Sequence, residues 1–343
     1  MKSEGALAML SGQFTTRPAT MDDVEAVVEL INACAIELTG EPRALVQDMR
    51  SDWQQPEFNP ETDTLVVLTP EGGIVGYAEM WDRAPHVRLY VVVEVHPEYV
   101  GRGIGTALCW WEEGRARRSI PEAPSGARVV LQQNVLSTDE ATQELLRQQA
   151  YHVVRHNLRM RIDMDELPPE PAVPAGLIIR PFVRERESRA LVLAIRQSFR
   201  DHWGFVEWPS EEHYQAWMHY LDTNPDVDPS LWFVAVDERT SEIAGMSLCH
   251  PEVAQDPDMG WVETMGVRRR WRRRGLGLAL LRHSFRALYR RGKRKVGLGV
   301  DADSLTGATR LYEKAGMHVY RQYVEYEKEL RPGEELSTQA AAD

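Results

Sequence analysis

Cysteine is scarce in this chain: Cys34, Cys109 and Cys249 are the only three in 343 residues, and they lie far apart. An odd number at such spacing argues against a disulfide framework or a structural zinc site and fits a reducing cytoplasm. No apolar run approaches the roughly 18 residues of a membrane span. Residues 1–13 carry one lysine and only a short apolar patch, a poor secretory signal. Basic residues are in deficit as well, with 40 Lys and Arg against 52 Asp and Glu and a formal charge of -12. General nucleic-acid binding rests on an excess of such residues. The composition therefore predicts a soluble cytoplasmic protein with no metal, no membrane and no nucleic acid among its partners, as a monomer or homodimer.

What the sequence does have is one concentrated basic loop. Residues 260–267 alternate like a strand, residues 268–274 hold six arginines in seven positions, and Gly275-Leu276-Gly277 opens an apolar helical run. Glycines there let several backbone amides point into one space, and a helix start adds its positive dipole end. The result is an anion cradle for something more charged than a single carboxylate. Neither the P-loop nor the dinucleotide fingerprint fits, because no Gly-Lys-Ser/Thr follows and the first glycine of G-x-G-x-x-G is missing. A basic surface turn, or a nucleic-acid patch joined with the basic stretch 290–295, is the competing reading.

The same pattern occurs earlier. A strand over 87–95 runs into Gly101-Arg102-Gly103-Ile104-Gly105 and a helix from Thr106, and Val95, Gly103 and Gly105 fall on Val267, Gly275 and Gly277 with one offset of 172. The chain contains an internal repeat of domain size. Residues 167–176 carry four prolines in ten and read as a stiff, extended linker. The first copy spans 13–165, the linker 166–176 and the second copy 177–330. The tail 331–343 lacks periodicity and is expected to be disordered.

In both copies the order is strand, helix, two strands, strand with glycine loop, helix, strand, helix, strand. With Arg272-x-x-Gly275-x-Gly277 and Ala308-x-x-Leu311-Tyr312-Glu313-Lys314-Ala315-Gly316-Met317, this order resembles the GNAT acetyltransferases, in tandem form. The resemblance implies an α/β class with a mixed α+β sheet, two acyl-CoA N-acyltransferase domains and acetyl-CoA as co-substrate. It implies acetyl transfer to the primary amine of a small molecule, by direct attack in a ternary complex. The alternatives are a non-catalytic acyl-CoA sensor or scaffold, and an acetyltransferase of a protein N-terminus or lysine.

Carried over residue by residue, the resemblance implies that Met265, Gly266, Val267, Arg272, Arg273, Arg274, Gly275, Leu276, Gly277, Leu278, Ser304 and Tyr312 meet the co-substrate. The backbone amides of 272–277 hold its diphosphate, and the Arg272 or Arg274 side chains flank it. The strand is expected to bulge around Val267 and to aim an amide at the thioester carbonyl there. Ser304 or Leu305 stands where the family often has Asn. Tyr312 is the candidate acid for the leaving thiolate, with aromatic packing as the bland alternative.

Glu263 is the candidate base. By the period-2 rule it shares a face with Met265 and Val267, whereas relatives often carry their glutamate two residues earlier, at the Trp261 position; a structural carboxylate is the competing reading. His202, Trp203 and Trp208 are candidates for the acceptor pocket or for lid packing, and His250 is a reserve base. In the first copy Val95, Gly101, Arg102, Gly103, Ile104 and Gly105 keep the cradle. There Val100 replaces Arg272 and Leu146 replaces Tyr312, so that copy is expected to be degenerate and the second to carry the activity.

Overall fold

A computed structural model describes residues 10, 12–207, 209–224, 227–254, 256–304 and 307–339. The first half of the chain holds strands β1 (Thr15–Arg17), β2 (Thr64–Leu68), β3 (Ile74–Asp82), β4 (Arg88–Val95), β5 (Val129–Leu136) and β6 (His152–Asp163). Its helices are α1 (Val24–Thr39), α2 (Val46–Trp53), α3 (Pro60–Asp63), α4 (Ile104–Ser119) and α5 (Glu140–Gln148). The second half repeats the order with β7 (Leu177–Pro181), β8 (Trp232–Asp237), β9 (Ile243–His250), β10 (Met259–Val267), β11 (Lys295–Asp301) and β12 (His318–Arg331). Its helices are α6 (Arg184–Phe199), α7 (Ser210–Thr223), α8 (Leu276–Arg290) and α9 (Ala308–Lys314). Among the described residues no helix is long and apolar enough to cross a membrane, and no group of three or more His, Cys, Asp or Glu is placed to hold a metal.

The chain divides into two units. One comprises the residues up to Arg155 together with Tyr323–Leu336; the other comprises His156–Gln322 together with the segment from Ser337. In the first unit the sheet runs β1-β2-β3-β4-β5-β12, and in the second β6-β11-β10-β9-β8-β7. The β4–β5 and β10–β11 pairs are parallel and the other pairs within each unit antiparallel. β12 completes the first sheet, from Tyr323↔Leu136 to Arg331↔Val129, and β6 completes the second, from Lys295↔Asp163 to Asp301↔Asn157. The contiguous limits 13–165 and 177–330 therefore miss an exchange of closing strands. Strands of 12 and 14 residues with similar patterning suit either sheet edge, and periodicity carries no information about which edge is taken.

Within the second unit, β8 and β9 are buried along almost their whole length, which requires cover on both faces. Leu191 and Ile195 of α6 cluster with Val234, Met246 and Leu248. Leu281, Phe285 and Leu288 of α8 cluster with Val262, Leu298 and Met160 of β6. β10 thus has a packed first half, through Val262, and a second half that emerges toward solvent.

Residues 332–339 are ordered, contrary to the expected disorder of the tail, and 340–343 lie outside the described residues. Arg128 N–H donates to Glu334 O and Glu334 N–H to Gly126 O, both at 2.8 Å. Missing periodicity excluded a regular element here, while individual backbone hydrogen bonds hold an irregular one.

Candidate active site

The site forms where β10 and β11 part. Their parallel pairing runs only from Met259↔Lys295 to Val262↔Leu298. At that point β10 also slips by one residue against β9, between Val262 and Thr264, so Glu263 is the extra residue of a β-bulge. The expected bulge around Val267 is therefore displaced by four residues, and Val267 itself pairs regularly with Gly245. Arg268 N–H donates to Ala244 O of β9 at 3.0 Å. Because N–H directions alternate along a strand, those of Met265 and Val267 point the other way, to the edge that β11 has vacated.

The cradle follows. Arg273 and Gly275 take left-handed backbone angles, φ 60° and 86°, on either side of Arg274. Alternation of this kind curls successive amides inward into a nest. α8 begins at Leu276, and its first internal bond is from Ala279 N–H to Gly275 O, 3.1 Å, which leaves the N–H groups of Leu276, Gly277 and Leu278 without an intrahelical acceptor. A Cβ on Gly277 would lie 2.9 Å from Leu311 Cδ2 and 3.4 Å from Met265 Cε, so glycine lets α9 and β10 close around the turn. A cleft of about 630 Å³ opens there, lined among others by Met265, Gly266, Val267, Arg272, Arg273, Gly275, Gly277, Leu278 and Tyr312.

The arginine side chains mostly build the loop. Trp271 is buried between the guanidinium groups of Arg268 and Arg270, 5.0 and 5.1 Å from its ring, and its indole N–H donates to Asp237 at 3.2 Å. Arg272, expected to flank the anion with its side chain, is engaged elsewhere. Its Nε donates to Val267 O (2.9 Å), one Nη to Ser198 O (2.8 Å) and the other to Asp201. Asp201 is 6% exposed and also pairs with Arg269. Burial pulls its carboxyl up, and the two guanidinium groups overcome this and leave it below its ordinary range. Arg274 reaches Ala175 O at 3.3 Å, and Arg273 is exposed and lines the cleft. The sequence reading missed Ser198 and Asp201, although a run of six arginines was itself a signal that acidic and carbonyl partners were needed.

Tyr312, 8% exposed, lines this cleft and also a smaller cavity of about 150 Å³, as do His202, Met265 and Ala308. Burial pushes the Tyr312 phenol up to about 12. The smaller cavity is completed by Glu263, Trp203, Phe199, Asp301 and Ser304. The bulge breaks the alternation expected along β10: Val262 and Glu263 both face the smaller cavity, and Val267 faces only the larger. The Trp261 indole N–H donates to the Glu263 carboxylate at 2.8 Å, which fixes that group.

Burial, with the Arg272 charge adding to it, pushes the His202 imidazole down to about 4. The Ser304 hydroxyl accepts from Ala308 N–H at 3.4 Å. His250 lies outside the lining of both cavities, with its Nε2 3.1 Å from the Tyr220 hydroxyl. Trp208 and Leu305 lie outside the described residues.

The first unit keeps the backbone of the cradle, with Gly101 at φ 82° and Gly103 at 84°. β4 leaves β5 after Tyr90↔Gln132, and its pairing with β3 runs without a bulge. Val95 O accepts from Cys34 Sγ at 3.2 Å where Val267 O accepts from Arg272. Leu146, at the Tyr312 position, is fully buried.

Residues 24–148 and 192–317 each match the Acetyltransferase (GNAT) family. A mycothiol acetyltransferase of Frankia casuarinae is 28% identical over 274 residues, covering 78% of this chain and 75% of its own. One from Streptomyces coelicolor is 27% identical over 92% of this chain and 98% of its own. A crystal structure of a GCN5-related N-acetyltransferase from Sphaerobacter thermophilus superposes with a TM-score of 0.78 at 35% identity, covering 96% of this chain and 99% of that one. A tandem GNAT protein from the clavulanic acid biosynthesis pathway shares the fold at a TM-score of 0.70 and 19% identity, covering 94% of this chain and all of that one.

Proposed function

The chain belongs to the GNAT family of acetyltransferases and is an N-acetyltransferase; from that premise we propose that the second unit moves the acetyl group of acetyl-CoA to a primary amine of a small molecule, in a ternary complex. The observation that carries the proposal is the junction of two cavities at Tyr312. One is the cradle cleft, sized for an extended co-substrate, and the other is a small recess with two carboxylates and an indole. The cradle suits a diphosphate: amides from Arg273 to Leu278 converge on it, and the start of α8 adds its dipole. The pantetheine arm would run along the vacated edge of β10.

Each step is then assigned to a group that lines the two cavities. An alkylammonium must lose a proton to attack, its ordinary pKa being about 10.4. Glu263, held by the Trp261 indole, is the acceptor for that proton, directly or through water. As the amine nitrogen bonds to the thioester carbon, the Val267 N–H, on the vacated edge of β10, is the donor to the developing oxyanion. When the carbon–sulfur bond breaks, Tyr312 gives its phenol proton to the thiolate, and the second proton that the nitrogen sheds on becoming an amide passes through water to the phenolate and restores it. A phenol pushed up to about 12 is protonated throughout the neutral range, as an acid requires.

Initial rates of thiol release from acetyl-CoA, measured with a panel of small primary amines, lysyl peptides and the unacetylated form of mycothiol, test the proposal. Turnover with a small amine supports it. Tight acetyl-CoA binding without thiol release would make the protein a sensor, and turnover on peptides alone would make it a protein acetyltransferase.

A further inference from the structure

The loop that carries His202 into both cavities and Trp203 into the smaller one is held at its two ends by different parts of the second unit. At one end Asp201 is tied to Arg269 and Arg272 of the cradle loop. At the other the partner is a short segment far away in sequence, residues 337–339, which the chain brings back to this unit. Gly204 N–H donates to Thr338 O and Thr338 N–H donates to Phe205 O, both at 2.8 Å, so both backbone groups of Thr338 are tied to successive residues of the loop. The Thr338 hydroxyl donates to Arg200 O at 3.0 Å. Gln339 Oε1 accepts from the Trp203 indole N–H at 3.0 Å, and its own amide is fixed by the Ser337 hydroxyl at 2.8 Å. Ser337 is 7% exposed, so the segment is seated rather than trailing.

We propose that residues 337–339 form a strap that positions the acceptor side of the site, with Thr338 and Gln339 as positioning residues acting through the 202–205 loop. The inference rests on the reading that this loop borders the amine. Without the strap, Gly204 N–H, Phe205 O and the Trp203 indole lose these partners, while the Asp201 anchor at the other end remains. Trp203 then loses a fixed orientation in the recess it shares with Glu263 and Asp301. The hydrogen bonds that Thr338 and Gln339 make to the loop end on residues 200–205 and not on the cradle residues 272–278. Acceptor binding and co-substrate binding should therefore separate when the strap is removed.

Two variants test this in the full chain. Thr338→Pro removes the N–H that bonds to Phe205, and Gln339→Ala removes the indole acceptor. Thr338→Ser, which keeps both the N–H and a hydroxyl, is the control. The first readout is hydrogen exchange of the peptide covering 200–206, which needs no acceptor. It should exchange about tenfold or more faster in Thr338→Pro and at the parent rate in Thr338→Ser. The second is steady-state transfer to 1,4-diaminobutane, a probe amine suited to a recess with two carboxylates. KM for the amine should rise about tenfold in Thr338→Pro and severalfold in Gln339→Ala, with kcat within about threefold and acetyl-CoA affinity by calorimetry unchanged.

Parent-like exchange of 200–206 in Thr338→Pro overturns the strap. So does a loss of acetyl-CoA affinity equal to the loss for the amine, which would mark a general structural role. If the parent chain transfers no acetyl group to any amine, the proposed function falls while the exchange result still decides the strap.

Discussion

Arg273 occupies the same left-handed backbone position, φ 60°, that Gly101 occupies at 82° in the first repeat. Glycine takes this conformation at no steric cost, and a residue with a Cβ pays roughly 1–2 kcal/mol for it. The second repeat accepts that strain at the rim of the cleft and there presents a guanidinium. Arg273→Gly is expected to raise unfolding stability by about 1 kcal/mol in urea titrations. The same variant should weaken acetyl-CoA binding severalfold by calorimetry, since a charge-assisted contact to phosphate is lost. Higher stability with unchanged affinity would confine the arginine to a surface role.

Tyr312→Phe keeps the ring in its buried seat and removes only the hydroxyl. The expected result is a fall in kcat of about 10²-fold with acetyl-CoA affinity preserved. Parent-like turnover would return Tyr312 to packing alone.

The pH profile follows from the same residue. Burial raises the phenol to about 12, so its deprotonation cannot limit the reaction below that region. With a simple alkylamine as acceptor, kcat/KM should climb with pH as the amine loses its proton and show no alkaline downturn up to about pH 10. A bell-shaped curve with a descending limb near pH 8 would assign the acid to another group.

Glu263→Gln retains an acceptor for the Trp261 indole and removes the carboxylate charge. We expect a loss of about 10²-fold in kcat/KM for the amine at pH 7, shrinking as pH rises and the free amine becomes abundant. A loss independent of pH would make Glu263 an orienting group and not a base.

His202 gives a stability signature. Its folded-state pKa, pushed down to about 4, lies below the ordinary 6.5 of an unfolded histidine. Above pH 6.5 neither state binds the proton; between 6.5 and 4 the unfolded state binds it and the folded state does not. Its contribution to stability is therefore complete at neutral pH and is lost as pH falls through that window. His202→Gln should flatten this part of the stability curve measured by denaturant titration.

The elements themselves were plain in the sequence. Residues 64–68, a short apolar run, and 295–301, which alternate, form strands with those limits, and the offset of 172 exposed the repeat. The glycine turn was legible from its spacing before the helix, and Tyr312 lines the cleft beside it. The bulge was not, because Glu263 becomes an extra residue only when β10 is laid against β9, a register no single strand encodes. Composition also misled over the arginines: a run of like charges suggests ligand binding, yet Asp201, Asp237 and backbone carbonyls turn most of that run into the scaffold of the loop. The pairing of Thr338 with Gly204 and Phe205 joins residues more than a hundred positions apart, beyond the reach of any local pattern.

A crystal structure of the chain soaked with acetyl-CoA tests the central claim most directly. The account predicts the diphosphate on the amides of residues 273–278 and the thioester sulfur within hydrogen-bonding distance of the Tyr312 hydroxyl. A diphosphate held elsewhere in the second unit, or a sulfur turned away from Tyr312, would contradict it.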